Sequence, residues 1–421
     1  MNARVTTIVV GCLLTVAAGA TSAQHVESAD AVVSSGVLRQ IPMFSYRDGV
    51  KSDLLFRNTP TGALAEGTAR VEYEDGHASI SAKVDKLPAP GSLGPYAVYV
   101  LWALTPNGRA VKEGVIAGFH GGKGKMTTRY DASEFALIIT AEPHFAVASP
   151  STMIVLYNVA DDVKGQAIGV TTLTGTDYSS LPRLPFDRPN SPALVQARHA
   201  VAIARQADAE QFAGAAYSTA KGKLAEAEMA LEGKRHAERK FAPILAREAV
   251  VAAEDARRAA VVASAASQSE ADATERATAV ATAWTELHDR LNTVLPTRAT
   301  DRGLVANIGG VEFATGTASI SPSARERVAR FSRIVASYPD LRFNVEGHTD
   351  GAGSAAANKN LSLRRAIAVR DSLIGEGIPA SSIDVAGIGA SMPTADSSTA
   401  AEHARNRRVE IVVSGGPLAA N

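Results

Sequence analysis

The sequence predicts a multidomain chain: an N-terminal β-sandwich of the immunoglobulin-like kind, a long α-helical coiled-coil hairpin, and a C-terminal α/β sandwich. Three observations carry that expectation. Short apolar runs punctuated by Gly, Pro and Asp-Gly or Asn-Gly pairs fill residues 30–188, an Ala-rich stretch of helical character runs from Pro192 to Leu295, and strand-like and helix-like segments alternate from Gly303 to Val413. At 421 residues the chain exceeds one ordinary domain, and roughly two to four units are expected. The expected boundaries are a leader at 1–23, the β-domain at 24–189, the helical spacer at 190–296, the α/β unit at 297–414 and a tail at 415–421.

The leader reads as a secretory signal. Arg4 supplies the positive start, Ile8 to Ala18 the apolar run, and Thr21-Ser22-Ala23 the small residues before a cut near Gln24. Val9-Val10-Gly11-Cys12 superficially resembles a lipoprotein cleavage box, but the apolar run continues past Cys12, whereas a lipidated Cys follows that run. Cys12 is the only cysteine. A chain cut at Gln24 therefore has neither a disulfide nor a thiolate metal site. No long apolar run follows, so no transmembrane helix is expected in the mature chain.

In the first unit, Ala69–Tyr73 and Ala78–Val84 flank Asp75-Gly76, a hairpin signal. Tyr96–Leu104 and Arg109–Phe119 flank Pro106-Asn107-Gly108, and strands 135–141, 153–159 and 168–173 follow. Short strands at this rhythm suggest a β-sandwich. A membrane barrel is not expected, because runs such as YAVYVLWAL and ALIITA are apolar on both faces. His77, His120 and His144 lack metal-ligand spacing, and Gly121-Gly122-Lys123-Gly124-Lys125 lacks the phosphate-loop frame.

The Pro-rich stretch 181–192 reads as an extended connector. Ser191-Pro192 then starts a helix. Gly233 and Pro243 suggest two long helices, about 193–232 and 243–294. Tyr217, Ala220, Leu224, Ala227 and Leu231, and again Val280, Trp284, Leu287, Leu291 and Val294, alternate by three and four. That is an a/d seam, hence a coiled-coil hairpin or an oligomer seam. Residues 201–212 fit neither frame.

In the last unit, strands at 303–308, 342–348, 383–388 and 408–413 alternate with helices from Ser321-Pro322 and over 361–374, the pattern of helices on one face of a mixed sheet. Its centre is FNVEGHTDGAGSAAANKNLSLRRA, Phe343 to Ala366. Gly347, Gly351 and Gly353 surround Asp350 and allow close backbone approach. Asn358 and Ser362 are helix-capping types, and Arg365 lies on the early part of the helix. An Asp for an ammonium and an Arg fork for a carboxylate make the two halves of a zwitterion clamp. The residue types alone leave a second reading open, in which Asp350 and Arg365 pair with each other as an intradomain salt bridge.

The pattern of Thr349, Asp350, Gly353, Asn358, Leu361, Ser362, Arg365 and Ala366, continued by Gly377 to Pro393 and Asn406 to Val413, resembles the OmpA C-terminal domain. Peptidoglycan-associated lipoproteins and flagellar stator B subunits share that domain. The resemblance covers roughly the last quarter of the chain. It implies non-covalent binding of the peptidoglycan stem peptide, with Asp350 taking the ammonium of the diaminopimelate side chain and Arg365 its carboxylate. Asn358 and Arg408 are supporting candidates. In that family the first strand reads Phe-Asp, whereas here Phe313 is followed by Ala314, so one acceptor near the ligand is missing. The helical stretch resembles Ala-rich segments of unknown function in envelope proteins.

These readings imply a cell-envelope protein of the periplasm or outer membrane that tethers a β-domain to peptidoglycan. The alternative is an oligomeric helical scaffold in which wall binding is secondary. Outer-membrane or other envelope proteins are expected partners of the β-domain or the helices. A formal net charge of zero argues against nucleic acid. No enzyme is expected: there is no HExxH and no paired carboxylates at a recognisable spacing, and His348 beside Asp350 is the only suggestive pair. No cofactor or metal is expected.

Overall fold

The computed structural model describes residues 40–416 apart from 63, 160–165, 186–190, 234, 310–312, 314–315, 339 and 397, together with 33–34 and 37–38. The expected leader with Cys12, the departure at Ala314, residues 186–190 of the connector and most of the expected tail lie outside the described residues. The chain forms two compact units, Met1–Ser264 and Ala265–Asn421. The division falls within a helix, not at the expected 190 and 297.

In the first unit, β1 (Val33–Ser34) pairs with β2 (Val37–Leu38). Eleven further strands follow: β3 (Ile41–Ser45), β4 (Val50–Asn58), β5 (Glu66–Glu74), β6 (His77–Asp85), β7 (Val98–Leu104), β8 (Ala110–Val115), β9 (Ala117–His120), β10 (Lys123–Tyr130), β11 (Glu134–Glu142), β12 (Ile154–Val159) and β13 (Gln166–Thr171). A short helix α1 (Pro90–Leu93) precedes β7. The turn between β5 and β6 has the positive φ at both central residues that a two-residue hairpin demands, 52° at Asp75 and 83° at Gly76. β7 and β11 are buried on both faces, as their apolar runs require. Trp102 lies fully buried between them and donates its indole N–H to Thr140 Oγ1 at 2.8 Å.

An immunoglobulin-like sandwich would divide these strands into two hydrogen-bonded sheets. The strands pair in the order β13-β3-β11-β12-β4-β5-β6-β10-β9, with β7 pairing both β11 and β8, and β11 is shared between the β3–β13 side and the remaining strands. The branch exists because β11 pairs with β7 along seven residues while its first two residues also pair with β3. Strand periodicity reports which residues are buried, and it is silent on which neighbour each strand takes.

Helices α2 (Pro192–Gln206), α3 (Ala209–Phe212) and α4 (Gly214–Glu232) follow, and then α5 (His236–Asn292). Ser191 caps α2, its side chain accepting from the Leu194 N–H. The expected single helix over 193–232 is broken by Asp208, whose φ of 55° is left-handed. This is why 201–212 fits no heptad frame. Pro243 does not delimit a helix either. It lies in the second turn of α5 and removes the bond to the Arg239 carbonyl without ending the helix.

Tyr217, Ala220 and Ala227 of α4 form one cluster with Leu194 and Ala197 of α2 and with Ala246, Ala249, Ala253 and Ala256 of α5. Small side chains give close contact but little buried area per residue, and ion pairs such as Arg198–Glu228 and Lys223–Glu248 flank the cluster. Three helices therefore meet where a two-helix seam was expected. Residues 265–279 of α5 are exposed without exception.

The second unit begins with the end of α5. Its five-stranded sheet runs β14 (Thr297–Thr300), β15 (Gly303–Gly309), β18 (Arg408–Gly415), β16 (Leu341–His348), β17 (Ile383–Gly389). Only β16 and β17 are parallel. Helices α6 (Pro322–Val335) and α7 (Ala355–Gly375) pack on it, and α8 (Ala400–Asn406) precedes β18. Val328, Phe331 and Val335 form the buried stripe of α6. The second seam expected from the sequence is spent here: Leu287 and Leu291 join Leu295 in the core of this unit, with Trp284 and Val294 packed alongside. A spacing of three and four suits a sheet-and-helix core as well as another helix, so the periodicity did not specify the partner.

Leu291→Ala should lower the unfolding free energy of the second unit by about 2–5 kcal/mol, read as a lower urea midpoint with unchanged elution volume. A variant as stable as the parent, or one whose only change is in oligomeric state, would contradict this placement.

Candidate functional site

The site is built where β16 ends. Thr349 donates its N–H to the Gly389 carbonyl at 2.9 Å, tying the end of β16 to that of β17. Above them α7 lies almost backbone to backbone on the sheet. A Cβ at Gly347 would come within 2.0 Å of the Ser362 carbonyl oxygen, and one at Gly387 within 2.7 Å of the Lys359 carbonyl oxygen. Buried Ser362 stitches this contact, accepting from the Gly389 N–H at 3.0 Å and donating to the Lys359 carbonyl. Gly347 thus serves helix approach, while Gly351 and Gly353 take the left-handed turns beyond Asp350, with φ of 84° and 94°.

Helix α7 starts six residues earlier than the sequence suggests, because Ser354 is its cap. Asn358 therefore sits in the first turn rather than at a cap. It is 6% exposed and donates Nδ2 to the Ala352 carbonyl at 3.0 Å, fixing the loop that carries Asp350.

Asp350 and Arg365 do not pair. Asp350 Oδ2 instead accepts from Arg407 Nη1 at 2.7 Å, with His403 Nδ1 at 3.7 Å, and its side chain is 15% exposed. Burial pushes the Asp350 carboxyl up, but the Arg407 hydrogen bond and charge and the Ala352 N–H outweigh it and hold the group below its ordinary value. Arg365 is 2% exposed. Its Nε donates to the Thr317 carbonyl at 3.0 Å, and its guanidinium lies 5.0 Å from the Phe313 ring centroid. Burial, and then the charge of Arg407, lower its pKa, with Asp350 opposing them. The three charged groups therefore sense one another, and the segment carrying Phe313 and Thr317 covers Arg365.

Arg408 makes its contacts elsewhere. It is 3% exposed and faces away from this group. Nε donates to Glu410 Oε1 at 2.8 Å, Nη2 to the Met392 carbonyl at 3.1 Å and Nη1 to the Asn406 carbonyl at 3.4 Å. The arginine beside Asp350 is Arg407. The pair Arg407-Arg408 sits at a strand start, where successive side chains go to opposite faces. Only one of the two can reach the site, and Glu410, two residues on, marks the face that Arg408 takes.

Beneath the site, Glu346, His348 and Glu410 bring ligand-type atoms within 4.8 Å of one another, all buried. Arg302 holds Glu346 through both oxygens at 2.8 and 3.0 Å, and Arg298 and Arg408 hold Glu410. Two carboxylates already matched by three guanidinium groups offer a cation no net attraction, so this is an ion-pair network. His348 has no hydrogen bond at either ring nitrogen among the described residues. Burial, with the Arg408 charge second, pushes its pKa down to about 4.

With this geometry in view, residues 312–407 match the OmpA family model, and the C-terminal unit carries an OmpA family domain. Among similar proteins, the probable lipoprotein YiaD of Escherichia coli is 36% identical over 118 residues, 28% of this chain and 54% of that protein. The peptidoglycan-binding protein ArfA of Mycobacterium tuberculosis is 37% identical over 105 residues, 25% of this chain and 32% of that protein. The chain thus spans about half or less of the length of these relatives. Among solved structures, the periplasmic domain of Helicobacter pylori MotB is 22% identical, with a TM-score of 0.27 over 28% of this chain and 80% of that one.

A histidine whose pKa is lower folded than unfolded stabilises the fold above its unfolded value, near 6.5, and loses that contribution as pH falls toward about 4. Urea midpoints of the second unit should therefore fall between pH 6.5 and 5, before the carboxylates titrate, and His348→Gln should flatten that slope. An unchanged slope in the variant would contradict the assignment.

Proposed function

We propose that the C-terminal unit attaches the chain non-covalently to peptidoglycan, taking the diaminopimelate of the stem peptide between Asp350 and its two neighbouring arginines. The observation that carries this reading is one carboxylate beside Arg407 with Arg365 behind it, inside the stretch that matches the OmpA family model. The printed name of the similar ArfA protein, peptidoglycan-binding, points the same way.

Arg407 occupies the Asp350 acceptor that an ammonium needs. An incoming zwitterion replaces Arg407 at Asp350 and offers its carboxylate to Arg407 and, once Thr317 yields, to Arg365. The exchange trades one charge-assisted hydrogen bond for others of the same kind, so a ligand with both charges enters more favourably than one with either alone. Asn358 acts through the Ala352 carbonyl by holding the loop. Arg408 belongs to the fold rather than to the ligand.

On this reading the protein is exported by its signal sequence and works in the periplasm or at the outer membrane, with the N-terminal β-domain tethered to the wall and free to meet other envelope proteins. No catalytic step is proposed.

Removing one partner of a desolvated charge contact costs about 2 kcal/mol or more, a loss of at least about thirtyfold in affinity. Asp350→Ala and Arg365→Ala should each abolish co-sedimentation with purified sacculi while leaving circular dichroism unchanged. Full retention by both variants would sink the proposal.

A further inference from the structure

On the other side of α8 from the Asp350 group lies a cavity of about 540 Å³, a size typical of small-ligand sites. Its charged lining is of one sign: Arg298 from β14, Arg327 from α6 and Arg405 from α8, with no Asp or Glu among the lining residues. Leu295, Asn307 and Thr394 complete the wall that matters here. His403 and Arg407 approach Asp350, whereas Arg405 turns to the cavity, so one short helix serves both places.

Three arginines from three separate elements line one cavity, and the field they set up there favours an anion. Arg298 shares Glu410 with Arg408, and Arg327 has an interaction of its own. Arg405 is exposed and forms no ion pair among the described residues. The half-buried Asn307 also lines the cavity, and its Oδ1 has no hydrogen bond among the described residues. The oxygen and nitrogen of a carboxamide exchange places on rotation, so Asn307 supplies two N–H donors to an anion as readily as one acceptor.

We infer that this cavity is a binding site for a phosphoryl group. Guanidinium forks recognise oxyanions through paired N–H donors. Donors arriving from three directions suit a tetrahedral dianion better than a planar carboxylate, which two forks already saturate. The phosphoryl group is either free in solution or borne on a lipid headgroup. The inference stands apart from the wall-binding reading, because no residue of the Asp350 group lines the cavity.

Titrating the full chain with inorganic phosphate, followed by calorimetry and ³¹P line broadening, tests it. Saturable binding is expected, weakened at least tenfold in Arg405→Gln, an exposed position that leaves folding intact, lost in the Arg327→Gln/Arg405→Gln double variant, and unchanged in Asp350→Ala. Vesicles of phosphatidylcholine with and without phosphatidic acid, whose headgroup is a phosphomonoester, separate the sources. Retention only on the anionic vesicles, lost in Arg405→Gln, assigns a lipid headgroup, while phosphate binding without vesicle retention assigns a soluble phosphate. No saturable phosphate binding by the parent, or binding unaltered in Arg405→Gln, overturns the inference.

Discussion

Everything in the C-terminal unit is arranged around a carboxylate that is kept charged while mostly removed from water. Asp350 achieves this because Arg407 and a loop N–H compensate for its burial. That balance depends on where the partners sit, and the backbone contact between α7 and the ends of β16 and β17 holds them in place. Gly347 and Gly387 allow the helix to touch the sheet, Ser362 pins the contact, and Asn358 holds the loop in between. A methyl group at Gly347 would meet a carbonyl oxygen and lift the helix that carries Arg365.

A second layer lies under the first. Glu346, Glu410, Arg298, Arg302 and Arg408 form a closed ion network at the start of β18 and the end of β16, the two strands that deliver Arg407 and Asp350. Breaking such a buried pair by removing one member leaves an uncompensated charge and costs about 3–5 kcal/mol. Its value here is geometric, since both halves of the Asp350–Arg407 pair are attached to strands that this network holds in register. His348, neutral and unbonded in the middle of it, makes that layer sensitive to acid.

Much of this was legible in the sequence, and the parts that were not share a cause. The hairpin at Asp75-Gly76, the Ser191 cap and the strand–loop–helix around Asp350 depend on local residue chemistry, which a linear reading sees. Arg407 and Arg408 look alike in the sequence until the bond from Arg408 to Glu410 shows which face each takes. The seam through Leu287 and Leu291 is a true buried stripe, but periodicity does not say whether a helix or a sheet covers it. The same blindness to partners left the strand order of the β-domain, with β11 shared among β3, β7 and β12, out of reach of the sequence. Asp208 had no signal beyond a lapse in the heptad, and Pro243 looked like a boundary because the tolerance of α5 for a missing hydrogen bond near its start comes from packing. Cover over Arg365 by Thr317 and Phe313 had no sequence signal at all.

The central claim is that Arg365 and Arg407, and not Arg408, receive a ligand's carboxylate when its ammonium takes Asp350. Side-chain ¹⁵N NMR of arginine Nε groups during titration with a diaminopimelate-containing muropeptide observes this directly. Signals of Arg365 and Arg407 should shift together and saturate, with Arg408 unmoved in its pair with Glu410. A response at Arg408, or none at Arg365, would contradict the account.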